Sequence, residues 1–331
     1  MRRGAIGCLS CIFWLSGCGY VGPVLPPSPQ LPQAITDLKA IERGDQIVIT
    51  FTTPVRTTDN LAIKQFSEID LRIGSASIPF DFDQWAATAT QYSLTPPPAN
   101  DLDDPQPLPL KKTIPVSEWL NKRVAVAVRT AVKKTDHYSP WSNRAVLEVV
   151  PPLSPPQAKA IATAHGVLLT WEPQGAEMEY RVYRQGPGDQ APVQIGTSKS
   201  TDYLDTAAQY ETAYTYTVVA TKGSVESLTS EPIPIKPIDK FPPSVPASIT
   251  ALGGPESIEI SWQRSPEPDL KGYYLYRSVS GGPFERIADL LTLPTYSDRK
   301  VEHGHTYRYE VTAIDQKGNE SAKSAPAEVV F

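Results

Sequence analysis

Three stretches of the chain place apolar side chains at alternate positions and end on an aromatic residue: Ile47-Val48-Ile49-Thr50-Phe51, Val167-Leu168-Leu169-Thr170-Trp171 and Ser257-Ile258-Glu259-Ile260-Ser261-Trp262. Side chains of an extended chain point alternately to opposite faces, so this period predicts half-buried β-strands. A second set follows each: Ile69-Asp70-Leu71-Arg72-Ile73, Glu179-Tyr180-Arg181-Val182-Tyr183-Arg184 and Gly272-Tyr273-Tyr274-Leu275-Tyr276-Arg277. A later set comprises Val124 to Arg129, Tyr214 to Ala220 and Tyr307 to Ala313. Asp202-Tyr203-Leu204-Asp205 and Thr295-Tyr296-Ser297-Asp298 add a further matching pair.

These strands repeat. Trp171 and Trp262 lie 91 positions apart, and Tyr203 and Tyr296, like Tyr214 and Tyr307, lie 93 apart. A period of about 90 residues built of short alternating strands predicts one β-sandwich per repeat. The residues resemble the fibronectin type III family. The resemblance implies that Trp171 and Trp262 mark strand B and fill the space between two sheets. It implies that Tyr214 and Tyr307 start strand F as tyrosine corners, each hydroxyl bonding back to the chain before it. The N-terminal repeat departs from the pattern, with Phe51 where the tryptophan is expected and Val124 where the corner tyrosine is expected. Phe51 and Val124 are 73 positions apart, against 43 for Trp171 and Tyr214, so an insertion is expected between residues 74 and 115. The expected fold is therefore all-β, with three tandem fibronectin type III-like sandwiches over residues 36–150, 151–237 and 241–331.

Proline sharpens the boundaries. The chain has 34 prolines in 331 residues, about twice the usual share of ~5%. Pro151 to Pro156 and Pro237 to Pro246 read as semi-rigid linkers. Pro232 and Pro234 fall in a terminal strand, which they should confine to a sheet edge because proline donates no ladder hydrogen bond. Six prolines between Ser93 and Leu110 predict a mobile loop.

All three cysteines, Cys8, Cys11 and Cys18, precede residue 19. No disulfide or thiolate metal site can therefore form in the body. Met1-Arg2-Arg3 followed by Ala5, Ile6, Leu9, Ile12, Phe13, Trp14 and Leu15 reads as a signal peptide over residues 1–17. Its apolar run falls short of the ~20 residues needed to span a bilayer. Leu15-Ser16-Gly17-Cys18 resembles the bacterial lipobox, which implies a thioether-linked lipid on Cys18 with cleavage before it. Cys8 and Cys11 would be discarded with the leader. Fatty acyl chains such as palmitate at Cys18 would make a membrane the first partner, and the resemblance to lipoproteins of two-membrane bacteria implies, from Gly19 in place of an aspartate, an outer-membrane address in the cell envelope. Residues 18–35 then form a proline-rich tether.

The formal net charge is −5, which excludes a basic footprint for nucleic acid. No Gly-x-Ser-x-Gly, phosphate loop or His-Glu-x-x-His is present. The chain is read as non-enzymatic, with no catalytic residue, cofactor or metal. His303-Gly304-His305 lacks a third ligand, and Asp101 to Asp104 run into Pro105 where a calcium loop needs further ligands and a glycine. Arg43-Gly44-Asp45 precedes a strand and reads as a turn. Ser139-Pro140-Trp141-Ser142 resembles half of the Trp-Ser repeat of cytokine-receptor sandwiches, in which tryptophan stacks with arginine; Arg129 and Arg144 are the candidates here. Trp85, Trp119 and Trp141 are the candidate binding residues, for an envelope protein or a glycan as partner. The expected function is that of an anchored spacer and interaction module, with an accessory role in extracellular polysaccharide binding or degradation as the alternative.

Overall fold

The computed structural model describes residues 30–99, 101–132 and 137–331. The leader, Cys18 and most of the tether lie outside the described residues. The chain divides into two compact units, Met1–Ile41 with Ile47–Val150, and Glu42–Gln46 with Pro151–Phe331.

The first sandwich is built from β1 (Lys39–Arg43), β2 (Gln46–Thr52), β3 (Phe66–Ser75), α1 (Phe82–Thr88), β4 (Thr90–Ser93), β5 (Pro109–Pro115), β6 (Arg123–Val132) and β7 (Ala145–Glu148). One layer runs β1-β2-β5 and the other β4-β3-β6-β7. The second sandwich has β8 (Ala158–Thr163), β9 (Gly166–Trp171), β10 (Glu179–Gln185), β11 (Val193–Ser198), β12 (Asp202–Asp205), β13 (Tyr214–Lys222), β14 (Val225–Glu226) and β15 (Ile233–Ile235). Its layers are β8-β9-β12 and β11-β10-β13, with β15 on the far side of β13. The third has β16 (Thr250–Gly253), β17 (Ile258–Ser261), β18 (Leu270–Val279), β19 (Glu285–Arg286), β20 (Thr295–Asp298), β21 (Thr306–Asp315) and β22 (Ala327–Val330), layered β16-β17-β20 and β19-β18-β21-β22. The same three-over-four plan recurs three times: the fold is all-β, three tandem fibronectin type III-like sandwiches. Arg43-Gly44-Asp45 closes the β1–β2 turn, with Gly44 at φ +55°.

The alternation seen in the sequence becomes the layering. Val167, Leu169 and Trp171 face Tyr180, Val182, Tyr216 and Val218 in the second core. Ile258, Ile260 and Trp262 face Tyr273, Leu275, Tyr309 and Val311 in the third. Tyr214 and Tyr307 begin the long strands β13 and β21, and their hydroxyls accept from the Gln209 N–H at 3.2 Å and the Glu302 N–H at 2.7 Å. Pro234 sits in β15, which is bonded only to β13 and so forms an edge.

A serine pair three residues apart opens the last strand of every sandwich. Ser139 and Ser142 accept through Oγ from the N–H groups of Thr130 and Val128. Ser227 and Ser230 do the same for Ala220 and Val218, and Ser321 and Ser324 for Ala313 and Val311. Each serine N–H also donates to the carbonyl of the residue its Oγ serves. The side chain thus stands in for a backbone carbonyl where the strand has not yet settled into the ladder. Ser324→Ala leaves the buried Val311 N–H without an acceptor and is expected to cost about 1–3 kcal/mol, read as a lowered urea midpoint with unchanged slope.

The first sandwich solves the same problem with different residues. Phe51 takes the core position of the tryptophan and is 2% exposed. Val124, fully buried at the start of β6, has no hydroxyl to brace the corner. The corner is instead a 3-10 turn, Val116–Glu118, followed by Trp119, whose N–H caps back to the Val116 carbonyl. The proline-rich segment is shorter than the sequence suggests: Ser93 ends β4, and Pro109 and Leu110 already belong to β5. Extra residues that looked like loop alone also supply a helix.

Candidate functional site

The insertion of the first sandwich, with Trp141, builds a cluster of four aromatic rings. Asp81 starts α1 by accepting from the Gln84 N–H at 2.9 Å, which satisfies one of the orphan donors of a helix N-terminus. The helix presents Trp85 and Ala86 to the outer face of its own sheet, against Ala125 and Ala127. The floor is made of small residues because it must be. A Cβ at Gly74 would stand 2.8 Å from Trp85 Nε1 and 2.9 Å from the Ala89 Cβ. In the third sandwich the register places Arg308 and Glu310 where the first has Ala125 and Ala127, counted from the matched serine bonds. Phe80, Phe82 and Trp141 surround Trp85 at centroid distances of 5.6, 6.2 and 5.7 Å.

None of the three candidate tryptophans offers an open ring face. Trp85 is 5% exposed, and its Nε1–H has no acceptor. Trp141 stacks on Phe82 with planes 5° apart, while the Arg129 guanidinium lies 4.4 Å from its ring centre. Arg144 goes to Phe80 instead, at 4.2 Å, and Arg72 approaches Trp141 at 5.7 Å. Trp119 packs on the core, donates from Nε1 to the Tyr92 hydroxyl at 3.2 Å and carries the Lys122 ammonium at 5.2 Å. Tyr92 in turn donates to Glu118 at 2.5 Å. Burial and the Glu118 carboxylate hold the Tyr92 hydroxyl above its usual range. Trp119 and Trp141 therefore serve the corner and the outer face of their own domain.

Beneath this surface, Asp70 is fully buried and receives Arg72 Nε and Arg129 Nε, each at 2.9 Å. Arg72 also donates to the Ala86 carbonyl, which ties α1 to the sheet. Tyr138 donates to Glu68, and that bond, aided by burial, pushes its hydroxyl up to about 12. The other sandwiches bury a carboxylate in another way. Asp205 accepts from Tyr216 at 2.7 Å and Arg184 at 2.8 Å. Asp298 accepts from Tyr309 at 2.9 Å and Arg277 at 2.8 Å. Burial first, then the neighbouring carboxylate, pushes both tyrosine hydroxyls far above their ordinary value. The repetition of one tyrosine–aspartate–arginine set in two domains marks it as a structural brace.

Other groups capable of chemistry are dispersed. Two open grooves of about 580 and 560 Å³ lie on the second sandwich. The first is lined by Glu177, Glu179, Arg181, Lys199 and Thr201, the second by Pro187, Tyr214, Pro234 and Ile235, and neither lining holds a histidine, cysteine or serine. His303 stacks on Phe331 at 4.3 Å, and His305 Nδ1 meets Ser280 Oγ at 3.1 Å, so the two imidazoles have separate partners. Asp101 accepts from the Asp103 N–H at 3.0 Å. A carboxylate trio that sequence spacing does not disclose, Asp239, Asp269 and Asp315, has oxygens within 4.8 Å of one another. Burial and the two neighbouring carboxylates raise the Asp269 carboxyl, while Asp315 accepts from the N–H groups of Lys317 and Asn319 and from the Asn319 amide.

No family model matches the chain. Among curated proteins, it is 39% identical over 87 residues to an amylopullulanase of Thermoanaerobacterium saccharolyticum, a span of 26% of this chain and 7% of that protein. It is 32% identical over 160 residues to exoglucanase B of Cellulomonas fimi, covering 45% of this chain and 14% of that protein. The chain thus spans less than a sixth of the length of either relative. Among solved structures, the FN1–FN3 domains of chicken CNTN1 align over 91% of this chain and 99% of theirs, at 16% identity and a TM-score of 0.29. An Fn3-like protein from Clostridium thermocellum aligns over 27% of this chain and 92% of its own, at 31% identity and a TM-score of 0.24.

Proposed function

We propose that the chain is a non-catalytic envelope protein, lipid-anchored through Cys18, whose sandwiches act as spacers and as an interaction surface for protein or glycan. The carrying observation is the extent of the likeness to the two curated relatives. The shared stretches, 87 and 160 residues, are about the length of one and two sandwiches. What is shared is therefore sandwich-sized and makes up a small part of each relative. The anchor rests on the residues leading to Cys18.

The names of those relatives favour a second, narrower reading: an accessory of extracellular polysaccharide binding or degradation. One experiment addresses both. The full chain and its Cys18→Ala variant are expressed with radiolabelled palmitate, and membranes are solubilised and mixed with insoluble starch and cellulose. Label on the parent chain alone is expected, with an unprocessed precursor for the variant. Label remaining on Cys18→Ala would contradict the anchor. Depletion of the chain by either polysaccharide supports the narrower reading; retention in solution, with envelope proteins copurifying after crosslinking, supports the broader one.

A further inference from the structure

The outer face of the β8-β9-β12 sheet carries an apolar row whose two flanking members are exposed and whose central member, Leu168, is half-buried. Ile161 on β8 pairs in register with Leu168 on β9, and Leu168 with Leu204 on β12. All three point away from the core, which is filled by the alternate residues Ala160, Val167, Leu169 and Tyr203. Ile161 is 57% exposed and Leu204 38%. The third sandwich carries a more polar row at the matched places. The matched positions there are Leu252, Glu259 and Ser297, and Ser297 Oγ donates to Glu259 at 2.7 Å. One row along, the second sandwich sets Lys159, Thr170 and Asp202 side by side in register, all exposed. A cation thus stands at one edge of the face and a carboxylate at the other, and neither forms an ion pair among the described residues.

This pattern is self-complementary. A two-fold axis running along β9 sets Leu168 against its own copy and Ile161 against the partner's Leu204. The same operation brings Lys159 opposite the partner's Asp202, and the reverse, as an isologous interface requires. Glu172 lies four residues, about 13 Å, beyond Leu168 along the strand direction, outside this centre. We infer that the face is a pairing surface for a second copy of this chain.

Its size sets the conditions. Three strands about 4.8 Å apart and five residues at about 3.3 Å give roughly 14 by 16 Å, some 230 Å² per copy. A standard interface takes about 800 Å² per partner. Pairing is therefore weak in dilute solution and develops where copies are confined to a surface. That step rests on the anchoring proposed above.

The test uses the full chain in membranes. Residues 19–331 contain no cysteine, so Leu168→Cys places one thiol on the proposed axis. A short bismaleimide that spans about 10 Å, the spacing of facing sheets, is expected to yield a covalent dimer with Leu168→Cys and none with Leu252→Cys at the matched position of the third sandwich. Adding Lys159→Asp should lower the dimer yield by about tenfold, and Asp202→Lys in the same chain should restore it. A chain carrying palmitate label but giving no Leu168→Cys dimer, or equal yields from Leu252→Cys, overturns the pairing. Loss of the label overturns the anchor instead. In that case pairing is read by sedimentation of the purified chain at its highest attainable concentration, where a monomer throughout refutes it and a dimer lost with Leu168→Asp sustains it.

Discussion

Trp262→Ala is expected to destabilise the third sandwich strongly while leaving the first as it is. The ring is 6% exposed and meets Tyr273 edge to face at a centroid distance of 5.3 Å. It sits where Ile258, Ile260, Leu275, Tyr309 and Val311 converge. Removing so large a side chain from a packed core costs about 3–5 kcal/mol, because the surrounding residues cannot collapse into the space. A domain of this size holds only about 5–15 kcal/mol in all. The indole N–H has no acceptor, so the loss is one of packing alone and Trp262→Phe should retain much of the stability. Differential scanning calorimetry of the full chain would show one transition moved to lower temperature. An unchanged thermogram would mean that Trp262 is not part of the core.

Asp298→Ala is expected to be comparably damaging for an opposite reason. Asp298 is 2% exposed and holds Arg277 and Tyr309 at once. Without it, a largely buried guanidinium loses its counter-charge and the buried Tyr309 hydroxyl loses its acceptor. Breaking one side of such a pair costs about 3–5 kcal/mol. The two effects separate in a double variant: Asp298→Ala with Arg277→Met removes the stranded charge and should recover part of the loss, whereas independent sites would add. Equal urea midpoints for Asp298→Ala and the parent would show that solvent reaches the pair freely. The first sandwich carries Ile73 on β3 and Val126 on β6 at the matched positions, both fully buried, so its core has no such charge to strand.

These two substitutions also mark what the sequence reveals and what it conceals. Trp262 and Tyr307 are legible because a strand's period of two is local, and because a second copy of each occurs at a fixed distance. The three-over-four layering follows from that alternation. Asp298 was written in the repeat, but its pairing with Arg277 depends on two strands in different sheets, a contact that local spacing cannot display. The serine pairs recur in all three domains and could have been found by aligning the residues after strand F, yet serine there looks like ordinary loop composition. The helix Phe82–Thr88 was hidden most completely. It is seven residues long, too short for a helical period, and it folds because the sheet offers a floor for Trp85. Trp85 lies within the insertion on that helix, but its partners Gly74, Ala125 and Ala127 are small residues that attract no notice in a strand.

That floor has an evolutionary consequence. Gly74, Ala125 and Ala127 are useful only beneath the helix, and the helix is stable only above them. Neither half can be gained or lost alone without leaving a bare strip of small apolar residues or a steric clash. The three positions should therefore change as a block with residues 80–86. Among related chains, a glycine with two alanines at these places would record that the helix is present even where its own sequence has drifted beyond recognition.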